Sequence, residues 1–316
     1  MRKILQKIAN TLVLYSYHID NIGFVNGKMG IVFFLYHYAR YTDNEYYNSY
    51  ADDLFDEILA SVGSVPVNFE NGLIGIGWAT DYLIKNEFVE GNSNEVLQKV
   101  DSRVFSQSNI FNSHFIFGQG NYFISRLNSN IPDSENKAND ILNHYYNYLK
   151  ENKIILPLCH LNSILYFIIH INQLYPYNKK LNQLLRLIPD KVENTLNNTS
   201  FDNNDLLVFN KLVSIMDTNL EDLIQLTNYN TVGEIVNTVE NFITQTWLNI
   251  LYFDNDRNFT ISFPSVESIH KFVDDRQKSL TIKDFTFMQG LAGVGLAIIK
   301  HNGYANPSIS DKIFKK

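Results

Sequence analysis

At 316 residues, 45% apolar and 14% aromatic, the chain is long enough to bury a large core in one or two domains. A net charge of −7, with no basic run interleaved with aromatics, argues against a nucleic-acid partner. A single cysteine forbids an intramolecular disulfide, and no stretch approaches a membrane span.

Met1-Arg2-Lys3 followed by Ile4 and Leu5 resembles the opening of a signal peptide, but Gln6, Lys7, Asn10 and Thr11 interrupt the apolar run. Ile4, Ile8 and Leu12 instead keep helical spacing, so the segment reads as a one-sided helix and the cytoplasm is the expected location. Next comes Asn26-Gly27-Lys28-Met29-Gly30, followed by Ile31 to Tyr36, which is apolar and aromatic throughout and predicts a helix buried on most of its circumference. From Asp43 to Ser61 the pattern becomes one-sided, with Tyr46, Tyr50, Leu54 and Ile58 recurring every four residues among acids.

The same sequence of parts returns. Asn71-Gly72-Leu73-Ile74-Gly75-Ile76-Gly77-Trp78 opens a second buried helix, and Val96, Val100 and Val104 mark the one-sided helix behind it. A looser copy, Phe117-Gly118-Gln119-Gly120, precedes a helix carrying Ile141, Tyr145 and Tyr148 or Leu149 on one face. The fourth copy keeps Cys159-His160-Leu161-Asn162 and the apolar run Ile164 to Ile169, with Leu181, Leu184, Leu185 and Ile188 behind. Leu206 to Phe209 predicts a fifth buried helix. Val232 to Tyr252 then reads as one long helix, and Phe253 to Asp284 as a long polar loop. Gln289-Gly290-Leu291-Ala292-Gly293-Val294-Gly295-Leu296 closes the series. Successive anchors Asn26, Asn71, Phe117, His160 and Asn203 lie 45, 46, 43 and 43 residues apart. A period in the forties marks a repeated supersecondary unit that cannot bury its apolar face alone, and alternating buried and one-sided helices imply two layers. Where a glycine begins an inner helix it permits close backbone approach and a tight turn, and the fourth copy has Leu161 in its place.

These G-L-x-G-x-G-W and G-L-A-G-x-G-L repeats resemble the lanthionine synthetase C family of peptide cyclases. The resemblance is strongest over 22–105 and 284–302, weaker over 112–127 and 156–175, and poor from 197 to 283. It implies an all-α fold, an α/α toroid made of a double-layered barrel of helical hairpins, as a single domain over 1–316. Six hairpins are readable against the family's seven, with a degraded seventh left open.

The family's zinc is held by two cysteines and a histidine from W-C-Y-G and C-H-G turns, and the metal keeps the substrate thiol in its nucleophilic thiolate form. One cysteine cannot supply two ligands, and the region where those motifs belong reads Phe201-Asp202-Asn203-Asn204-Asp205-Leu206. Zinc is therefore implied by the resemblance but not by these residues, and no metal or other cofactor is expected. The family's fourth turn commonly carries a histidine proposed as acid or base, which places His160 in that role, with Cys159 only its neighbour. In the third turn His114 stands where the family has an acidic residue tied to proton transfer. For both, the plainer reading is a polar residue at a helix start or turn. The remaining histidines, His18, His37, His144, His170, His270 and His301, show no ligand spacing.

Hydrolase elbows, phosphate-binding loops and the metalloprotease H-E-x-x-H are absent from the sequence. The preferred expectation is a zinc-free relative that binds a ribosomally made precursor or modified peptide during its maturation, beside other peptide-modifying enzymes; the peptide-contacting residues are not assignable. One alternative is a metal-independent thioether cyclase using His160 as base. Another is a sugar-cleaving α/α barrel using two of Glu70, Asp202, Asp205 and Asp284, residues that equally serve as helix caps.

Overall fold

A computed structural model describes residues 1–106, 118–127, 129–151, 155–176, 178–198, 201–216 and 236–305. Among these the regular structure is entirely helical, with no strand. The helices are α1 (Arg2–Tyr15), α2 (Lys28–Thr42), α3 (Glu45–Ser61), α4 (Leu73–Lys85), α5 (Ser93–Val96), α6 (Gln98–Ser106), α7 (Gln119–Leu127) and α8 (Ser134–Glu151). They continue with α9 (Leu158–Leu174), α10 (Lys179–Leu185), α11 (Ile188–Asn198), α12 (Asn203–Ser214), α13 (Val239–Phe253), α14 (Val266–Ser279), α15 (Ile282–Phe285) and α16 (Leu291–Ala305). No described helix is long and apolar enough to cross a membrane.

Two helix types alternate, as the hydrophobic pattern requires. In α2 every residue from Lys28 to Ala39 is buried, and in α4 every residue from Leu73 to Leu83. By contrast α1 buries the stripe Ile4, Leu5, Ile8, Ala9 and Leu12, and α8 buries Ala138, Ile141, Leu142, Tyr145 and Leu149.

Four details depart from the sequence pattern. The buried face of α3 is Tyr47, Ala51, Leu54, Phe55 and Ile58, while Tyr46 is 62% exposed. Asn44 sets that register by accepting from the Tyr46 amide and so starting the helix at Glu45. Behind α4, Leu97 is buried and Val96 exposed, because Asn92 caps a separate short helix ending at Val96. The helix expected from Val232 begins at Val239, where Thr238 caps by accepting from the Asn241 amide, and 232–235 lie outside the described residues. The polar stretch expected as a loop over 253–284 contains α14, capped by Ser265, with Ile269 and Val273 as a narrow buried stripe.

The described residues group into two compact units, Met1–Asp101 with Val236–Lys316, and Ser102–Ile235. In the first, the buried helices lie side by side as α13, α16, α2 and α4, so the last glycine helix packs on the first. One-sided α1 covers α16 and α2, α3 covers α2, and α14 packs on α13 and α16. In the second unit α7, α9 and α12 form a similar row, backed by α8, α10 and α11.

Glycine is required at the starts of α2, α4 and α16 by close approach rather than by unusual dihedrals, since Gly27 and Gly72 are extended (φ −146° and −137°). A Cβ on the first glycine of each turn would overlap the carbonyl six residues earlier: Asn21 for Gly27, Pro66 for Gly72 and Asp284 for Gly290. The second glycine repeats the rule against Phe24, Phe69 and Phe287 for Gly30, Gly75 and Gly293. Three copies obey one steric constraint. Gly75→Ala, which meets the Phe69 carbonyl and the Phe24 side chain, is therefore expected to cost at least ~2 kcal/mol in denaturant unfolding. Gly63→Ala, with nothing within 4 Å of the added methyl, is expected to stay within ~0.5 kcal/mol.

Candidate functional site

The glycine turns before α2, α4 and α16 each present a phenylalanine three residues before their first glycine, and Phe24 meets the other two rings. Phe24 lies 4.5 Å from Phe287, 5.6 Å from Phe69 and 5.3 Å from Trp78, centroid to centroid, and is 1% exposed. The backbones also join directly: the Val25 amide donates to the Glu70 carbonyl (2.9 Å), and the Phe287 amide donates to the Val25 carbonyl (3.0 Å). Side-chain amides add to this, with Asn21 and Asn26 both donating to Asn71 Oδ1 at 2.7 and 3.1 Å. The third copy carries Phe115 at the same offset from Gly118, so F-x-x-G was available in the sequence as the signal for this cluster.

The corresponding end of the second unit gathers most of the chemistry. Pro157 starts α9, whose first turn holds Cys159 and His160, both half-buried. Tyr148 on α8 places its hydroxyl 3.0 Å from His160 Nδ1, a contact that orients the ring. From α12, Asp202 caps the helix by accepting from the Asn204 amide (2.8 Å), and Asp205 accepts at its carbonyl from Asn162 Nδ2 (2.8 Å). Burial, and then the neighbouring Asp202 charge, raise the Asp205 carboxyl to about 6, a range suited to general acid or base work. Burial, followed by the Asp205 charge, pushes the Cys159 thiol up to about 12. At neutral pH that thiol is protonated and unreactive, and Asp205 is the group here whose carboxyl is moved toward the working range of an acid or base. Two buried amide atoms nearby, Asn121 Nδ2 and Asn162 Oδ1, have no hydrogen-bond partner.

The other residues expected from the sequence separate from this cluster. His114 lies outside the described residues. Glu70 is buried, and its carbonyl serves the turn ladder of the first unit. Asp284 is fully buried and committed to structure: it accepts from Arg276 (2.9 Å), Ser279 and the Thr281 amide and hydroxyl (2.7 and 2.6 Å). Burial pushes its carboxyl upward, but the bonds from Ser279, Thr281 and Arg276 outweigh it and hold the group below the usual range, the opposite of what a general acid needs. Among the described residues no group of three or more His, Cys, Asp or Glu is placed to hold a metal ion. A cleft of about 270 Å³ in the second unit, lined by Phe105, Gln119, Lys137, Asp140, Ile141 and His144, does not include His160. Neither protein-family models nor curated proteins give a match to this chain.

Asp205 yields a pH test with a definite sign. Its carboxyl is raised above its unfolded value, so ionising it opposes folding. The penalty is absent below about pH 4, where both states are protonated, and complete once pH rises past the folded value. Asp205→Asn keeps the backbone bond to Asn162. It is expected to match the parent in Tm near pH 4 and to exceed it near pH 8, measured by calorimetry.

Proposed function

We propose that this chain is a lanthionine synthetase C-like α/α toroid that binds a ribosomally made peptide, in precursor or modified form, without zinc. The observation that carries the reading is the repeated turn: three copies share the same glycine-to-carbonyl packing, and the last copy bonds to the first through Val25 and Phe287. A final repeat seated beside the initial one is what such a toroid requires. Beyond the six hairpins legible in the sequence, the proposed toroid takes a further one from the described residues. The added one is α13 with α14, since α13 buries Val239, Phe242, Ile243 and nearly every later residue, whereas α14 buries only Ile269 and Val273.

The peptide is proposed to reach the inner-helix turns, where His160, Tyr148 and Asp205 face one region of the second unit. The single cysteine excludes two-cysteine ligation of zinc, and Cys159 is held as a protonated thiol. Binding therefore has more support than catalysis. A metal-independent thioether cyclase is favoured by one specific feature, the Tyr148 contact that orients His160 as a base. A free thiol with an ordinary pKa near 8.5 is only a few per cent ionised at pH 7, so such an enzyme would need that base.

The two readings separate in one assay. The protein, with a chelator present, is incubated with a dehydrated, cysteine-containing peptide, while bound peptide and free thiols are followed over time. Saturable binding with constant thiol count is expected. Thiol loss abolished by His160→Ala would replace the binding reading with the cyclase, and absence of both binding and thiol loss would remove the peptide reading altogether.

A further inference from the structure

The outer helices of the first unit leave an apolar surface uncovered. Three bridges join α1 to α14 and α15 in chain order: Lys7 Nζ to Asp274 (2.6 Å), Gln277 Nε2 donating to Thr11 Oγ1, and the Tyr15 ring stacked on Phe285 (5.2 Å). Leu280 and Ile282 fall between the last two bridges in the chain, so they lie beside the end of α1. On the other flank α3 reaches the same helix. The Tyr47 hydroxyl donates to Asn10 Oδ1 (2.6 Å), the Tyr50 hydroxyl donates to the Val13 carbonyl (2.9 Å), and the Tyr46 ring lies 5.2 Å from that of Tyr47. The outermost side chains here are apolar. Leu14 is 67% exposed, Tyr17 in the turn after α1 is 83% exposed and Ile282 is 59% exposed, with Leu280 and Tyr46 also exposed. Single exposed apolar side chains are ordinary, but five gathered along one helix are not. Leu280 is not there to serve its cap, since it holds φ +48° after α14, where glycine or asparagine costs less.

Charge divides across this surface. Helix α3 carries Glu45, Asp52, Asp53, Asp56 and Glu57 and no lysine or arginine. Asp52 accepts from the Tyr36 hydroxyl and Glu57 pairs with Lys28, so Glu45, Asp53 and Asp56 stay exposed without an ion pair among the described residues. The opposite flank is basic. From Lys271 to Lys283 it exposes Lys271, Lys278 and Lys283, while Asp274 is held by Lys7, leaving Asp275 as the acid outside an ion pair. A two-fold axis in the surface, running along α1, would set the acidic flank of each copy opposite the basic flank of the other and bring the two Leu14 side chains together. A partner of one charge would be repelled on one side. The face spans three helices, each ~10 Å across, which suffices for the ~800 Å² per partner of a stable interface.

We propose that this face, centred on Leu14 and Tyr17, docks a second copy of the same chain in an isologous dimer. It is built from outer helices and does not depend on the peptide reading.

Sedimentation velocity of the intact chain from about 1 to 100 μM is expected to show a monomer–dimer equilibrium that weakens as salt rises from about 50 to 500 mM. Leu14→Gln with Tyr17→Gln, at exposed positions and without a change of charge, is expected to keep the parent Tm and to weaken dimerisation at least about tenfold. Lys278→Glu with Lys283→Glu is expected to weaken it as well, and adding Asp53→Lys with Asp56→Lys to recover part of that loss. A parent that stays monomeric at about 100 μM overturns the proposal. So does a dimer that the Leu14 and Tyr17 changes leave intact, which would place the interface elsewhere, and so does indifference to both salt and the lysine changes.

Discussion

Everything in the first unit depends on how near one backbone comes to another at the glycine turns. A carbonyl six residues earlier in the same turn occupies the volume where a Cβ would stand, at both glycines of three copies. That approach puts Phe24 in contact with both Phe69 and Phe287 and brings Val25 within hydrogen-bond reach of both Glu70 and Phe287. Truncating a hub such as Phe24 would cost on the order of 3–5 kcal/mol, a large share of the total stability of an ordinary domain. The constraint is steric first and electrostatic second, which is why it recurs unchanged while surrounding polar residues differ.

The consequence for chemistry is a division of labour among turns. Where glycines are kept, the turn ends are packed with aromatic rings and closed by backbone bonds, leaving Glu70 and Asp284 as structural groups. In the second unit the α9 turn has lost its glycines, and Cys159, His160, Asn162 and Asp205 occupy the space instead. Burial there acts on thiol and carboxyl in the same direction, disfavouring both anions, but with different results: the thiol becomes inert, whereas the carboxyl moves toward neutrality, where it is useful.

Much of the helix alternation was legible because glycine spacing and continuous apolar runs are strong local signals. The phase of α3 was harder to read: Tyr46, Tyr47 and Tyr50 are all aromatic, and choosing the buried one, Tyr47, requires knowing where the Asn44 cap starts the helix. Helix α14 was obscured because only Ile269 and Val273 are buried in fourteen residues, while Val266 is exposed and the rest is largely polar. His160 was identifiable from its position at the start of a buried helix, but Tyr148, which bonds it, and Asp205, which acts on its neighbour Cys159, come from other helices and share no local pattern with it.

Closure of the chain through its terminal repeats is the point on which the ring proposal rests, and amide hydrogen exchange examines it residue by residue. The amides of Val25 and Phe287, each donating to a carbonyl of another turn, are expected to exchange as slowly as the centre of α2 and only through global unfolding. Exchange at Phe287 as fast as at an exposed loop amide, with α2 still protected, would show that the last turn does not dock on the first.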